Sequence, residues 1–123
     1  MNSSKVKLSI CICTYNRLEY LRLTVFRIIE QLSEISFEII FVDGGSTDGT
    51  IDFLEKIKKD KSFNIKIIKQ DKLIGATKSY YSGFEKSNGE YIFPLPDHTI
   101  IYGEPFIESL NLLDSNKDVA GVI

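Results

Sequence analysis

Short apolar runs and segments with helical periodicity alternate along this 123-residue chain. Runs of this kind predict buried strands, and they fall at residues 7–13, 37–42, 64–69, 90–95 and 118–123. Between the runs, apolar side chains recur at steps of three and four, as on one face of a helix. These helical segments begin near Arg17, Thr47 or Asp48, Gly75 and Pro105. Strands that alternate with helices predict an α/β fold whose mostly parallel sheet carries helices on both faces.

One strand in this pattern contains a proline. Pro94 lies in the fourth predicted strand, between Phe93 and Leu95. Because proline cannot donate a hydrogen bond to a neighbouring strand, we expect it near a strand end or at a bulge.

Composition limits the partners of the chain. With 43% hydrophobic residues, residues 1–123 are expected to form a single domain with its own core. The formal net charge is -2, which gives no basic surface of the kind that nucleic acid binding requires.

The sequence also bears on location. No apolar run approaches the roughly 18 to 20 residues that span a bilayer, and the polar start shows no cleavage site of a secretory signal. Cys11 and Cys13 would point to the same face of one strand. We interpret them as reduced, buried side chains of a cytoplasmic protein.

Polar loops follow three of the predicted strands. They are Thr14 to Arg17, Asp43 to Ser46, and Pro96 to Thr99. In parallel sheets ligands bind outside the carboxyl ends of the strands, so these loops predict one binding rim.

The residue types at this rim suit a nucleotide. Tyr15 can form a wall for a base, and Asp43 can accept a hydrogen bond from a base imide or a ribose hydroxyl. Singly, each residue could serve only its own turn, with Asp43 satisfied by the amides of Gly45 or Ser46. Together at one rim they favour a nucleotide pocket, whose phosphates need compensation by cations, a metal or backbone amides.

Three motifs resemble those of family 2 glycosyltransferases. Residues 9–17 (SICICTYNR) are similar to the opening of the family, and residues 37–50 (FEIIFVDGGSTDGT) to its second signature. Residues 89–92 (GEYI), followed by Asp97, resemble the approach to its acidic metal-binding motif.

The resemblance implies a GT-A (Rossmann-like) fold, a nucleotide-diphosphate sugar donor, and Mn²⁺ or Mg²⁺. It assigns the nucleotide pocket to Thr14, Tyr15, Arg17 and Asp43. Lys78 stands where the family commonly has an arginine near the nucleotide. It could equally be a solvated helix residue.

Two positions depart from the family pattern. Gly44 replaces the second acid of the second signature, which we interpret as a variant. Where the family has two metal-binding acids, this chain has Asp97 and His98. Imidazole suits Mn²⁺ better than Mg²⁺. His98 is therefore either a metal ligand or a rim residue bonded to its loop, with metal binding weakened or lost.

An inverting transferase also needs a general base for its acceptor. In the family this acid belongs to the second half of the domain, and no residue of 1–123 matches it, so the catalytic residue is unknown. The resemblance thus implies the donor-binding half of an enzyme that lacks its acceptor half. Such enzymes act on saccharide or lipid-linked acceptors in polysaccharide or glycoconjugate synthesis, a role that allows peripheral membrane association. The alternative is a truncated or non-catalytic nucleotide-binding remnant.

Other doubly wound folds fit less well. A receiver domain would place paired acids where this chain has Thr14 to Asn16. A dinucleotide-binding domain or a sugar-nucleotide pyrophosphorylase would place a glycine-rich loop there.

Overall fold

The computed structural model describes residues 5–60 and 62–122. Within these residues strands and helices alternate, and the bounds of the first four predicted strands are confirmed to within one residue at each end. None of the helices described is long and apolar enough to cross a membrane. The elements are β1 (Leu8–Thr14), α1 (Leu18–Gln31), β2 (Phe37–Asp43), α2 (Thr50–Lys59), β3 (Ile65–Lys69), α3 (Ala76–Glu85), β4 (Tyr91–Pro96) and α4 (Pro105–Ser115).

The strands form one parallel sheet in the order β3-β2-β1-β4. From β1 the chain steps outward to β2 and then to β3. It next returns through α3 to the other side of β1. Right-handed crossovers in opposite directions place their helices on opposite faces. The strand order therefore reverses at β1, and a ligand crevice is expected beside its carboxyl end.

The two faces of the sheet carry different helices. Ile10 and Ile12 of β1 belong to the main core, with side chains from α1, α2 and α4. Cys11, between them, points to the opposite face, where α3 lies. There a Cβ on Gly83 would sit 3.4 Å from Cys11 Sγ and 3.4 Å from a methyl carbon of Val42. The predicted α/β fold with helices on both faces is confirmed.

Pro94 does not lie where the sequence predicted. It occupies the middle of β4, paired in register with Cys11 of β1. Among the described residues β4 pairs with β1 alone, so it is an edge strand. An edge strand has backbone donors that no neighbouring strand uses, which is why proline is accommodated there without a bulge.

The predicted fifth strand, residues 118–123, is wrong for the part that the structure describes. Residues 118–122 form no strand, and the N–H of Val119 closes a turn on the carbonyl of Asn116 at 2.9 Å. Residues 120–122 lie across a cavity of about 370 Å³ from β4 instead of pairing with it. A strand requires a paired neighbour, and apolar composition alone did not supply one. Ile123 lies outside the described residues.

The cysteines are free thiols, as expected. Cys11 is buried and Cys13 is half-buried. Burial raises the pKa of Cys13 to about 12. The thiol is therefore protonated at neutral pH and is not a nucleophile.

A buried carboxylate joins the strands at the amino end of the sheet. Glu38 of β2 is completely buried, and its Oε1 accepts hydrogen bonds from Ser9 Oγ and from the N–H of Asn88, both at 2.6 Å. Its Oε2 lies 3.0 Å from Lys66 Nζ of β3. Burial raises the pKa of Glu38, but the bonds from Ser9, Asn88 and Lys66 together hold it below its ordinary value.

Candidate functional site

The loops after β1 and β2 are bonded to each other. Asn16 adopts a positive φ of 50°, which asparagine tolerates better than most residues. Its N–H donates to Ser46 Oγ at 2.9 Å, and its Oδ1 accepts from the N–H of Thr47 at 2.7 Å. These reciprocal bonds fix the relative position of the two loops.

Asp48 extends this connection to the helices. Its Oδ2 accepts from the N–H of Leu18, the first residue of α1, at 3.1 Å. Its Oδ1 accepts from the N–H of Thr50, the first residue of α2, also at 3.1 Å. Burial raises the pKa of Asp48, but bonds from Thr50 and Leu18 together lower it below its ordinary value. The sequence predicted only that α2 begins near Thr47 or Asp48, so the bond to α1 is a new observation.

We expect Asp48→Ala to destabilise the protein by about 1–2 kcal/mol, because it removes a bond from the first turn of each helix. Urea unfolding with and without the substitution measures this. Asp52→Ala is the matched control, since Asp52 is an exposed acid in the first turn of α2. Its loss should cost no more than about 0.5 kcal/mol. Equal losses for the two variants would contradict a stabilising role of Asp48 at the starts of both helices.

Asp43 ends β2 with its carboxylate buried to 1% exposure. Its Oδ2 accepts from the N–H groups of Gly45 and Ser46, at 3.0 and 2.9 Å. Among the described residues, Oδ1 has no hydrogen-bond partner. The turn amides that could have satisfied Asp43 therefore engage one oxygen and leave the other as an open acceptor.

The loop after β3 closes against this turn. The N–H of Gln70 donates to the carbonyl of Asp43 at 2.9 Å, and Gln70 Oε1 accepts from Ser79 Oγ at 3.1 Å. Gly45 has φ +94°, and a Cβ there would lie 3.1 Å from the carbonyl oxygen of Asp71. Both the φ angle and the close approach require glycine at this position.

Asp97 follows β4, with its side chain mostly buried beside the end of β1. Its Oδ2 accepts from Thr14 Oγ1 at 2.9 Å. Its Oδ1 lies 3.1 Å from His98 Nδ1 and 3.8 Å from Arg17 Nε. The side chains of Arg17 and His98 are at least half exposed, so solvent largely screens the attraction between Arg17 and Asp97.

A cavity of about 370 Å³ lies at the carboxyl ends of β1 and β2, against the start of α3. Of the predicted nucleotide residues, Thr14, Tyr15 and Arg17 line it, and Asp43 lies between two lining residues, Val42 and Gly44. The side chain of Lys78 is exposed and does not line the cavity. Its role therefore remains a prediction without geometric support.

Sequence reasoning missed one part of the cavity wall. Leu73, in the loop between β3 and α3, lines the cavity although its side chain is 61% exposed. An apolar residue in a loop gives no periodic signal, so nothing in the sequence marked it.

A larger hollow lies at the opposite, amino end of the sheet. Its volume is about 750 Å³, and residues such as Ser33, Ser36 and Lys58 line it. None of the predicted site residues reaches it. The open acceptor and the carboxyl ends of the strands favour the smaller cavity.

The fold and the loops at the strand ends define an α/β domain of the GT-A type. The model of the family "Glycosyl transferase family 2" matches residues 9–123. The chain belongs to that family.

Curated relatives are longer transferases. The chain is 36% identical over 88 residues to a cholesterol galactosyltransferase of Borreliella burgdorferi, covering 72% of this chain and 24% of that protein. It is 38% identical over 116 residues to an uncharacterized glycosyltransferase of Haemophilus influenzae, covering 93% and 35%. The chain therefore spans about a quarter to a third of the length of these two relatives.

Solved structures share the fold. S. aureus TarS in complex with UDP-GlcNAc matches with a TM-score of 0.77 and 24% identity, over 89% of this chain and 32% of that one. The mannosyltransferase PcManGT from Pyrobaculum calidifontis, in complex with GDP-Man and Mn²⁺, matches with a TM-score of 0.74 and 16% identity, over 85% and 31%. At these identities the likeness shows the fold alone.

Proposed function

We propose that this chain is the donor-binding part of a glycosyltransferase and holds the nucleoside diphosphate of a nucleotide sugar at the carboxyl ends of β1, β2 and β4. The open Oδ1 of Asp43 is the observation that carries the proposal. A buried acceptor without a partner destabilises the fold by roughly 1–3 kcal/mol. A base imide N–H or a ribose hydroxyl would supply the missing donor.

The rest of the nucleotide matches the surrounding residues. Tyr15, 41% exposed at the cavity, offers an aromatic surface to a base. The hydroxyl of Thr14 donates to Asp97, so Thr14 connects the cavity to the end of β4, where the phosphates would lie. Arg17 lines the same cavity and can pair with a phosphate. Thr14, Tyr15 and Arg17 line one cavity, and Asp43 adjoins two of its lining residues in the chain, which supports a shared ligand.

The residues at β4 fit a divalent cation that is shared with the substrate. Among the described residues no cluster of three or more His, Cys, Asp or Glu side chains could hold an ion. Asp97 Oδ1 and His98 Nδ1, 3.1 Å apart, offer two ligands. Sites for Mg²⁺ commonly combine one or two carboxylates with substrate phosphates and water, and here Asp97 supplies one carboxylate. A bound cation would neutralise the charge that develops on the departing diphosphate.

The acceptor side of the reaction lies beyond these residues. We propose that residues 1–123 supply the donor half and that an acceptor half, with the catalytic base, belongs to further sequence. The acceptor would be a saccharide or a lipid-linked sugar. Inverting transfer to it would build a polysaccharide or glycoconjugate. The reaction would take place at the cytoplasmic side, at times on a membrane surface. The second candidate is a nucleotide-binding remnant without transfer, which the single carboxylate at β4 favours.

Calorimetric titration with UDP and GDP, with and without Mn²⁺, tests the proposal directly. We expect at least one nucleoside diphosphate to bind, and we expect inorganic pyrophosphate to bind more weakly because it offers no donor to Asp43. Absence of binding by both nucleotides under all conditions would refute a donor site.

His98→Asp separates the two interpretations of residue 98. If His98 is a metal ligand, an added carboxylate should strengthen Mg²⁺-dependent nucleotide binding, because Mg²⁺ prefers oxygen ligands to imidazole. The unaltered protein should then prefer Mn²⁺ over Mg²⁺. Nucleotide affinity measured against the concentration of each metal gives the answer. Identical metal curves for the two proteins would show that His98 is only a loop residue.

A further inference from the structure

Leu73 occupies the space where a side chain at position 44 would stand. A Cβ built on Gly44 would lie 2.6 Å from Leu73 Cδ2 and 3.5 Å from Leu73 Cγ. Non-bonded carbon atoms prefer separations of about 3.5–4.0 Å, so a side chain at position 44 would force the Leu73 side chain to move from its present position. The leucine is thus packed against the backbone of Gly44.

The backbone of Gly44 does not itself require glycine. Four other glycines have a positive φ, and Gly44 is not among them. The carbonyl of Thr14 is 3.7 Å from the same Cβ position, an ordinary contact. Within the described residues, the tight contact at Gly44 comes from Leu73 alone.

Leu73 and Gly44 both line the cavity, with Tyr15 on its rim and Asp43 beside it. Leu73 is 61% exposed, so its side chain is available for contact with a ligand in the cavity. The loop that carries Leu73 is anchored at Gln70, which bonds both to the carbonyl of Asp43 and to Ser79. An apolar side chain therefore lies against Gly44, the residue that follows Asp43, in the wall of the cavity.

We propose that Leu73 is a specificity-determining residue that forms the apolar wall of the nucleobase subsite. Leu73 can take this position because Gly44 has no side chain there. The subsite then holds a base by contact with its ring face and by a single carboxylate, that of Asp43. This inference rests on the proposed nucleotide function and adds the residue that shapes the pocket.

A double-mutant cycle with UDP and GDP as probes tests the wall. Leu73→Ala should weaken the better-bound nucleotide about three- to tenfold, since it removes apolar contact with the base. Gly44→Ala should weaken it similarly, because the new methyl group displaces Leu73. In the Leu73→Ala background, Gly44→Ala should change affinity by less than about twofold. Ile74→Ala is the matched control: Ile74 is the adjacent apolar residue, 39% exposed, and does not line the cavity.

Inorganic pyrophosphate distinguishes a base wall from a general effect on the loop. Its affinity should be the same for the unaltered protein and for Leu73→Ala, with folding of each variant verified by circular dichroism. Three outcomes would each refute the proposal that Leu73 is a wall of the base subsite. They are unchanged nucleotide affinity in Leu73→Ala, an equal loss of affinity for pyrophosphate, and additive effects of the two substitutions in the cycle. If the unaltered protein binds neither nucleotide, the proposed function is refuted and this inference falls with it.

Discussion

Asp43→Asn is expected to weaken nucleoside diphosphate binding by about ten- to a hundredfold, which corresponds to roughly 1–3 kcal/mol. Asparagine keeps the shape of the side chain, and its carbonyl oxygen can accept the bonds from Gly45 and Ser46 that now go to Oδ2. Its NH₂ group then stands where Oδ1 was. A donor would face the donor of the ligand, and the hydrogen bond would be lost. Calorimetry with the better-bound of UDP and GDP measures the loss.

Two controls isolate that hydrogen bond. Asp71→Asn removes one negative charge from an exposed acid in the neighbouring loop and should leave affinity within about twofold. Pyrophosphate, which has no base or ribose, should bind Asp43→Asn as it binds the unaltered protein. A folded Asp43→Asn protein with unchanged nucleotide affinity would remove the main support for the donor site.

Glu38→Ala should destabilise the protein by about 2–4 kcal/mol, because it removes the acceptor of two hydrogen bonds and the partner of a partly exposed lysine. It leaves the N–H of Asn88 without its acceptor and deprives Ser9 and Lys66 of theirs. Glu55→Ala is the matched control, because Glu55 pairs with Lys69 of β3 at 3.1 Å on the exposed surface. That loss should stay under about 1 kcal/mol. Chemical unfolding at neutral pH compares the two, and similar losses would contradict a structural role for the buried carboxylate.

The pH dependence of stability should change with Glu38 as well. Its pKa is lower in the folded protein than in the unfolded chain. Its contribution is therefore fully present above the unfolded pKa of about 4.3 and is lost as the pH falls through the lower, folded pKa. Glu38→Gln keeps an acceptor for Ser9 and Asn88 but cannot ionise. It should flatten the fall in the free energy of unfolding below about pH 5, and an unchanged slope would show that Glu38 does not titrate in this range.

The periodic parts of the sequence predicted the fold well. Strand positions followed from apolar runs. Their side chains are mostly buried in β1 and β2, as predicted, but mostly half-buried or exposed in β3 and β4. Helix faces followed from repeats such as Leu21, Val25 and Ile28. Residues 118–122 failed because their apolar character says nothing about a pairing partner. Pro94 was misplaced because edge position depends on strand order, which a local pattern does not contain.

The site was predicted in outline and missed in detail. The polar loops marked Thr14, Tyr15, Arg17 and Asp43, and all four lie at or beside one cavity. Leu73 was missed because its place depends on a contact with Gly44, 29 residues earlier in the chain. The open oxygen of Asp43 also could not be foreseen, since hydrogen-bond geometry distinguishes two chemically identical atoms.

The bonds of Asn16 and Asp48 have a consequence for how such a domain can diversify. They join the loops after β1 and β2 to each other and to two helices, so a substitution at either residue disturbs the packing of these elements. The exposed side chains of Leu73 and Ile74, at the tip of the loop after β3, do not join loops to helices in this way. On the proposed function, exchange of a few exposed side chains on this wall would change donor preference without disturbing the hydrogen bonds that hold the opposite wall.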